Sequence, residues 1–115
     1  MTEQSQKNYA DEEIRAELVD LRGAEVQERH KSWLAERPEV VRKMAESYPF
    51  DRVYRVKDDA PYGLTAPGAI VGVRSYFEDG SVAVVVLKDP PGQFTYKGAR
   101  YQLDPQWLDP VPEFD

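Results

Sequence analysis

The spacing of the apolar residues changes near Pro49, and this change constrains the fold more than any other feature of the chain. Before Pro49, apolar residues recur at the three- and four-residue spacing of a helix. After it they alternate or run together as strands do, most clearly from residue 68 to residue 87. There, two apolar runs meet at Asp79-Gly80, which is a tight-turn signal. The sequence therefore predicts a helical N-terminal segment followed by a small β module.

The chain of 115 residues is predicted to form one integrated domain. Residues 1–10 are polar and are predicted to be a disordered leader. Residues 11–48 form the predicted helical segment, and residues 49–115 form the β module. A β module of this size has a thin core, so we expect the helices to cover part of it.

The helical segment has two apolar faces. One face carries Ile14, Leu18 and Leu21, and the other, about a third of a turn away, carries Val26, Trp33 and Leu34. Because residues 24–29 are strong helix formers, we expect a nearly continuous helix from about residue 11 to residue 36. A second helix is expected between Pro38 and Pro49. Two alternatives stay open: the second face binds a partner or another copy of the chain, or a bend at Gly23 turns both faces inward.

Five strands are expected in the β module, at residues 52–57, 69–77, 81–88, 100–103 and 109–111, with a further short strand at residues 94–96. One helical turn is expected at residues 104–108. The two middle strands are apolar on both faces, whereas a sheet with one solvated face would alternate apolar and polar residues. We therefore expect a second layer, formed by the helices, over the sheet.

The order of these elements and the closing segment, residues 98–108 (Gly-x-x-Tyr-x-Leu-x-Pro-x-Trp-Leu), resemble a Src homology 3-like barrel. The resemblance covers about residues 50–112. It implies an α+β fold in which an N-terminal helical hairpin packs on a C-terminal five-stranded antiparallel Src homology 3-like barrel. In peptide-binding members of this group, the closing aromatic lines a groove together with aromatics of the first long loop. The resemblance places Trp107 in the first role and Tyr62 in the second.

The function predicted from the sequence is non-catalytic protein binding, as an adaptor, accessory or regulatory subunit of a larger protein. Large aromatic side chains combine apolar area with a polar group and are common anchors of protein interfaces. The predicted partner-binding residues are Tyr62, Leu64, Tyr76, Trp107 and Trp33. A homodimer through the helices is a further expectation.

A nucleic-acid- or ribosome-associated module is the alternative, with Arg52, Arg55, Lys57 and Arg74 as its binding residues, interleaved with tyrosines. The net charge of −6 disfavours this alternative, because phosphate-binding surfaces normally carry a basic excess. The charge is divided evenly, with 8 basic and 11 acidic residues in 1–48 and 7 and 10 in 49–115, so neither half is a basic arm.

An enzyme is the least favoured class. The sequence contains no cysteine, and its single histidine, His30, lies between charged residues and is expected at an ordinary surface or boundary position. Asp58 and Asp59 do not have calcium-loop spacing, and the glycines do not form a phosphate-binding loop. We expect no metal and no cofactor. The polar N-terminus and the absence of a long apolar run predict a cytoplasmic protein without membrane association.

Overall fold

The computed structural model of the protein describes residues 2–61, 66–92 and 96–115, with side chains from residue 11 onward. Three helices come first: α1 (Thr2–Leu21), α2 (Ala24–Ala35) and α3 (Glu39–Ser47). Five strands follow: β1 (Val53–Val56), β2 (Ile70–Tyr76), β3 (Val82–Lys88), β4 (Arg100–Leu103) and β5 (Leu108–Pro110). Short 3-10 turns at Pro105–Trp107 and Pro112–Phe114 flank the last strand. The mixed α+β class predicted from the sequence is confirmed.

The strands form one antiparallel sheet in the order β4-β3-β2-β1-β5. The sheet contains the predicted central hairpin, whose turn glycine, Gly80, has a positive φ of 89°. Among the described residues β4 and β5 pair on one side only, so the strand pairing does not close into a barrel. Residues 94 and 95 of the predicted strand at 94–96 lie outside the described residues.

The helices differ from the expectation at two points. Helix α1 begins at Thr2 rather than near residue 11, because the first ten residues include helix formers such as Glu3, Gln4 and Lys7 that can extend it. The expected continuous helix is interrupted at Gly23, whose extended backbone (φ −64°, ψ 147°) precedes α2. This bend turns both apolar faces inward, because Ile14 is buried and Trp33 packs against the main core.

The main core lies on one face of the sheet, which we call the inner face. Tyr54 and Val56 of β1 pack there with Val71 and Val73 of β2 and with alternate residues of β3. Helix α3 contributes Val41 and Ala45, which are four residues apart and therefore share one face. The inner face is thus covered by α3 together with Trp33 and Leu34 of α2.

A second, smaller cluster lies where α1 meets β1 and the C-terminus. It contains Ile14 and Leu18 of α1, Val53 of β1 and Phe114. The guanidinium of Arg15 lies 4.9 Å from the centre of the Phe114 ring. The 3-10 turn that carries Phe114 was not predicted from the sequence, because three residues ending at an aromatic show no periodicity. This cluster attaches α1 to the sheet.

The described helices do not include one with both the length and the apolar character needed to cross a membrane.

Candidate functional site

A cavity of about 290 Å³ lies where α2, the segment before β1 and strand β2 meet. We call it the aromatic cavity. Rings of four residues surround it, and aliphatic and polar side chains complete its wall. Its lining residues are Leu21, His30, Trp33, Phe50, Val73, Arg74, Ser75 and Tyr76.

A β-bulge at Arg74 shapes the sheet side of the aromatic cavity. Val73 pairs with Val84 and Ser75 pairs with the next residue back, Ala83, so Arg74 has no partner on β3. In a regular strand, Val73 and Tyr76 would point to opposite faces, because side chains alternate. The extra residue places both on the inner face and lets four consecutive residues, 73–76, reach the cavity.

His30 lies at the centre of the aromatic groups. Its ring centroid is 4.2 Å from that of Phe50, 6.0 Å from that of Trp33 and 6.4 Å from that of Tyr76. Burial among these rings lowers the pKa of His30, and the negative charge of Asp51 offsets part of this effect. The imidazole is therefore held toward its neutral form.

Two tyrosines of the sheet hold the segment that carries Phe50. The Tyr76 hydroxyl donates to the Tyr48 carbonyl at 2.6 Å, and the Tyr54 hydroxyl donates to the Pro49 carbonyl at 3.1 Å. Burial raises the pKa of both hydroxyls far above the usual value for tyrosine. Both therefore remain protonated donors over the neutral range, and they fix the chain just before Phe50.

The bend between α1 and α2 holds the same segment from the other side. Arg22 donates to the Asp51 carbonyl at 3.1 and 3.2 Å and to the Phe114 carbonyl at 2.8 Å. Gln27 donates to the Asp51 carboxylate at 3.0 Å and to the Leu21 carbonyl at 2.9 Å. Hydrogen bonds from the sheet thus hold the chain before Phe50, and hydrogen bonds from the helices hold the chain after it.

A second cavity of about 530 Å³, which we call the polar cavity because several charged side chains line it, shares His30 and Phe50 with the aromatic cavity. Its wall includes Arg42 and Glu46 of α3 and Arg52. The His30–Phe50 pair, whose rings are tilted by 42°, therefore forms a wall common to both cavities.

Two of the predicted partner-binding residues meet at the aromatic cavity. Trp33 is half-buried in its wall, with the Arg37 guanidinium 4.7 Å from its ring centre, and Tyr76 is buried at 6% exposure. Trp107 is half-buried elsewhere, against the main core, and its carbonyl accepts from the Lys57 amide at 2.8 Å. Tyr62 and Leu64 lie outside the described residues.

Three of the four predicted nucleic-acid-binding residues form ion pairs. Arg55 pairs with Asp58 at 2.6 Å, Lys57 with Asp109 at 3.8 Å, and Arg74 with Glu17. The fourth, Arg52, is exposed and lines the polar cavity rather than joining the other three. The fold therefore brings carboxylates of α1, of the turn after β1 and of β5 next to these cations and offsets their charge.

His30 and Phe50 were not predicted from the sequence as site residues. His30 precedes Trp33 by three positions, so the two share a helix face, and this spacing was the available signal. Phe50 follows the helix-terminating Pro49 and has no periodic pattern to reveal it.

Among the described residues, no group of histidine and acidic side chains has the arrangement needed to hold a metal ion. Comparisons with models of protein families, with curated proteins and with solved structures found no match to this chain. The candidate function is therefore argued from the geometry of the aromatic cavity.

Proposed function

We propose that the protein is a cytoplasmic protein-binding module, acting as an adaptor, accessory or regulatory subunit, whose aromatic cavity receives one apolar side chain from a larger protein. We also propose that the β module is a Src homology 3-like barrel. The strand order β4-β3-β2-β1-β5 supports it, because that order places the last strand beside the first, as in such barrels.

The observation that carries the proposal is the composition and size of the aromatic cavity. His30, Trp33, Phe50 and Tyr76 offer large, rigid apolar surfaces, which lose little conformational entropy on binding. The volume of about 290 Å³ is at the lower end of ligand sites, which suits one inserted side chain better than a whole cofactor.

Two side chains of the aromatic cavity, Ser75 and His30, carry groups that could act in nucleophilic catalysis, but their surroundings favour a binding role. Within the described part of the chain, neither the Ser75 hydroxyl nor the His30 imidazole has a hydrogen-bond partner. A serine nucleophile is normally activated by a hydrogen bond to its base. Binding is also favoured over nucleic-acid recognition, because Arg74 at the cavity wall is already paired with Glu17.

A cavity-filling variant tests the proposal without removing core contacts. Ser75→Phe places a ring in the cavity from its sheet side, and Ser32→Phe makes the same change at an exposed position of α2, next to Trp33. Each tagged chain is used to recover partners from the native lysate, with and without nuclease, followed by quantitative mass spectrometry. Circular dichroism and urea unfolding check that both variants fold.

The expected result is a stoichiometric protein that survives nuclease, is recovered by the wild type and by Ser32→Phe, and falls about tenfold or more with Ser75→Phe. Equal recovery by the two variants would refute the aromatic cavity as the binding site. Recovery that disappears with nuclease would replace this proposal with the nucleic-acid alternative.

A further inference from the structure

The outward face of α3 carries a second groove, separate from the aromatic cavity. Its volume is about 420 Å³, and it is lined by Glu39, Val40, Lys43, Met44, Ser47 and Tyr48. Val41 and Ala45, about a quarter of a turn round α3 from Val40 and Met44, are buried in the main core and fix the rotation of the helix. We call this surface the α3 groove.

The apolar stripe of the α3 groove is incompletely covered. Val40 is 42% exposed, and Met44 and Tyr48 are half-buried beside it. Val40 and Met44 lie four positions apart and share one row of the helix, and Tyr48, the residue just after α3, lines the same groove. A groove of this kind can take the corresponding row of another helix.

The charges beside this row are self-complementary. Glu39 and Lys43 form an ion pair at 3.4 Å along the next row of α3, and both side chains are 73% exposed. A twofold axis perpendicular to α3 would place a second α3 antiparallel to the first, with the same charged rows on the same side. Glu39 of each chain would then face Lys43 of the other, and the opposed helix dipoles would add to the attraction.

We propose that the α3 groove binds the α3 groove of a second copy of this chain, forming an antiparallel twofold dimer. Val40 and Met44 of the two copies pack in the centre, and reciprocal Glu39–Lys43 pairs fix the orientation. A single nine-residue helix buries less than the roughly 1,000 Å² of a stable interface, so the dimer is weak and reversible. This proposal is independent of the function proposed for the aromatic cavity.

The test is a charge exchange measured by sedimentation equilibrium, at loadings from about 10 μM to about 1 mM. Glu39→Lys leaves two positive groups in the row, and Lys43→Glu leaves two negative groups. Each variant alone should raise the dissociation constant about tenfold or more, because like charges would face each other. An equimolar mixture should restore association, since each pair across the twofold axis again has opposite signs.

The matched controls are Glu28→Lys and Lys31→Glu, which make the same charge changes at exposed positions of α2. Both should associate as the wild type does. A wild-type chain that stays monomeric at about 1 mM overturns the proposal. So does association that survives in either α3 variant alone, or a mixture that associates no better than its components.

Discussion

Replacing Tyr76 with phenylalanine removes one hydroxyl group and tests how the segment before Phe50 is held against the sheet. The hydroxyl donates to the Tyr48 carbonyl at 2.6 Å, and the Tyr76 side chain is buried. It is the one donor that this carbonyl has among the described residues. The bond is partly buried, and an acceptor that loses its donor away from water costs about 1–3 kcal/mol, so we expect the free energy of unfolding to fall by about 1–2 kcal/mol.

Tyr54 provides the comparison. Its hydroxyl donates to the Pro49 carbonyl at 3.1 Å, and that carbonyl also accepts from the backbone amide of Arg52 at 3.4 Å. Tyr54→Phe therefore leaves the carbonyl with a second donor, and the expected loss is about 0.5–1.5 kcal/mol. Both variants remove a hydroxyl group from a buried ring. The difference between their losses of stability therefore reports whether the carbonyl that remains still has a donor.

Urea unfolding at 25 °C, followed by fluorescence and far-UV circular dichroism, measures these free energies through the midpoint and slope. Tyr101→Phe is the control, since Tyr101 is half-buried on β4 and its hydroxyl has no hydrogen-bond partner among the described residues. It should change stability by less than about 0.5 kcal/mol. The reasoning is refuted if Tyr54→Phe costs as much as Tyr76→Phe, or if Tyr76→Phe matches the control.

Phe114→Ala should lower the free energy of unfolding by about 3 kcal/mol, measured in urea, because it leaves a cavity among Ile14, Leu18 and Val53. A loss below about 1 kcal/mol would mean that the C-terminal turn does not hold α1. Because burial lowers the pKa of His30, the unfolded chain binds a proton there more readily, so stability should fall as the pH drops below about 6.5. In the same urea titrations, His30→Phe should lose less stability than the wild type as the pH drops below about 6.5. An equal loss in the two proteins would contradict a contribution from His30. Burial raises the pKa of Tyr54 and Tyr76, so above about pH 10 the unfolded chain loses these protons before the folded chain does. Each tyrosine should therefore lower the free energy of unfolding by about 1.4 kcal/mol per pH unit above about pH 10, and each Phe variant should remove one such contribution from the dependence of stability on alkaline pH.

Much of the secondary structure could be predicted from the sequence, because it follows from local patterns. The apolar run ending at Leu87 and the Asp79-Gly80 turn indicate β3 and its hairpin. The observed strand, Val82–Lys88, differs from the expected one by one residue. The helical turn at Pro105–Trp107 was also expected, and the Asp104 side chain accepts from the Gln106 amide as an N-terminal cap does. Local signals of this kind act over a few residues and are visible in the chain itself.

The candidate site could be predicted only in part. Trp33 and Tyr76 were selected as large aromatic side chains, and both line the aromatic cavity. Their neighbours His30 and Phe50 were not selected, because one is a single histidine in a charged stretch and the other follows a helix-terminating proline. The bulge at Arg74 has no signature in the sequence, although it decides which residues of β2 reach the cavity.

The sequence by itself determined the helical first half, the strand-rich second half and the central hairpin, since each depends on the spacing of apolar residues and on turn residues. Only the tertiary structure decided that α1 and α2 bend at Gly23, that Arg74 interrupts the pairing of β2, and that His30 packs on Phe50. These features join residues far apart in the chain, and their energies come from burial and from hydrogen bonds that exist only after the elements have packed together.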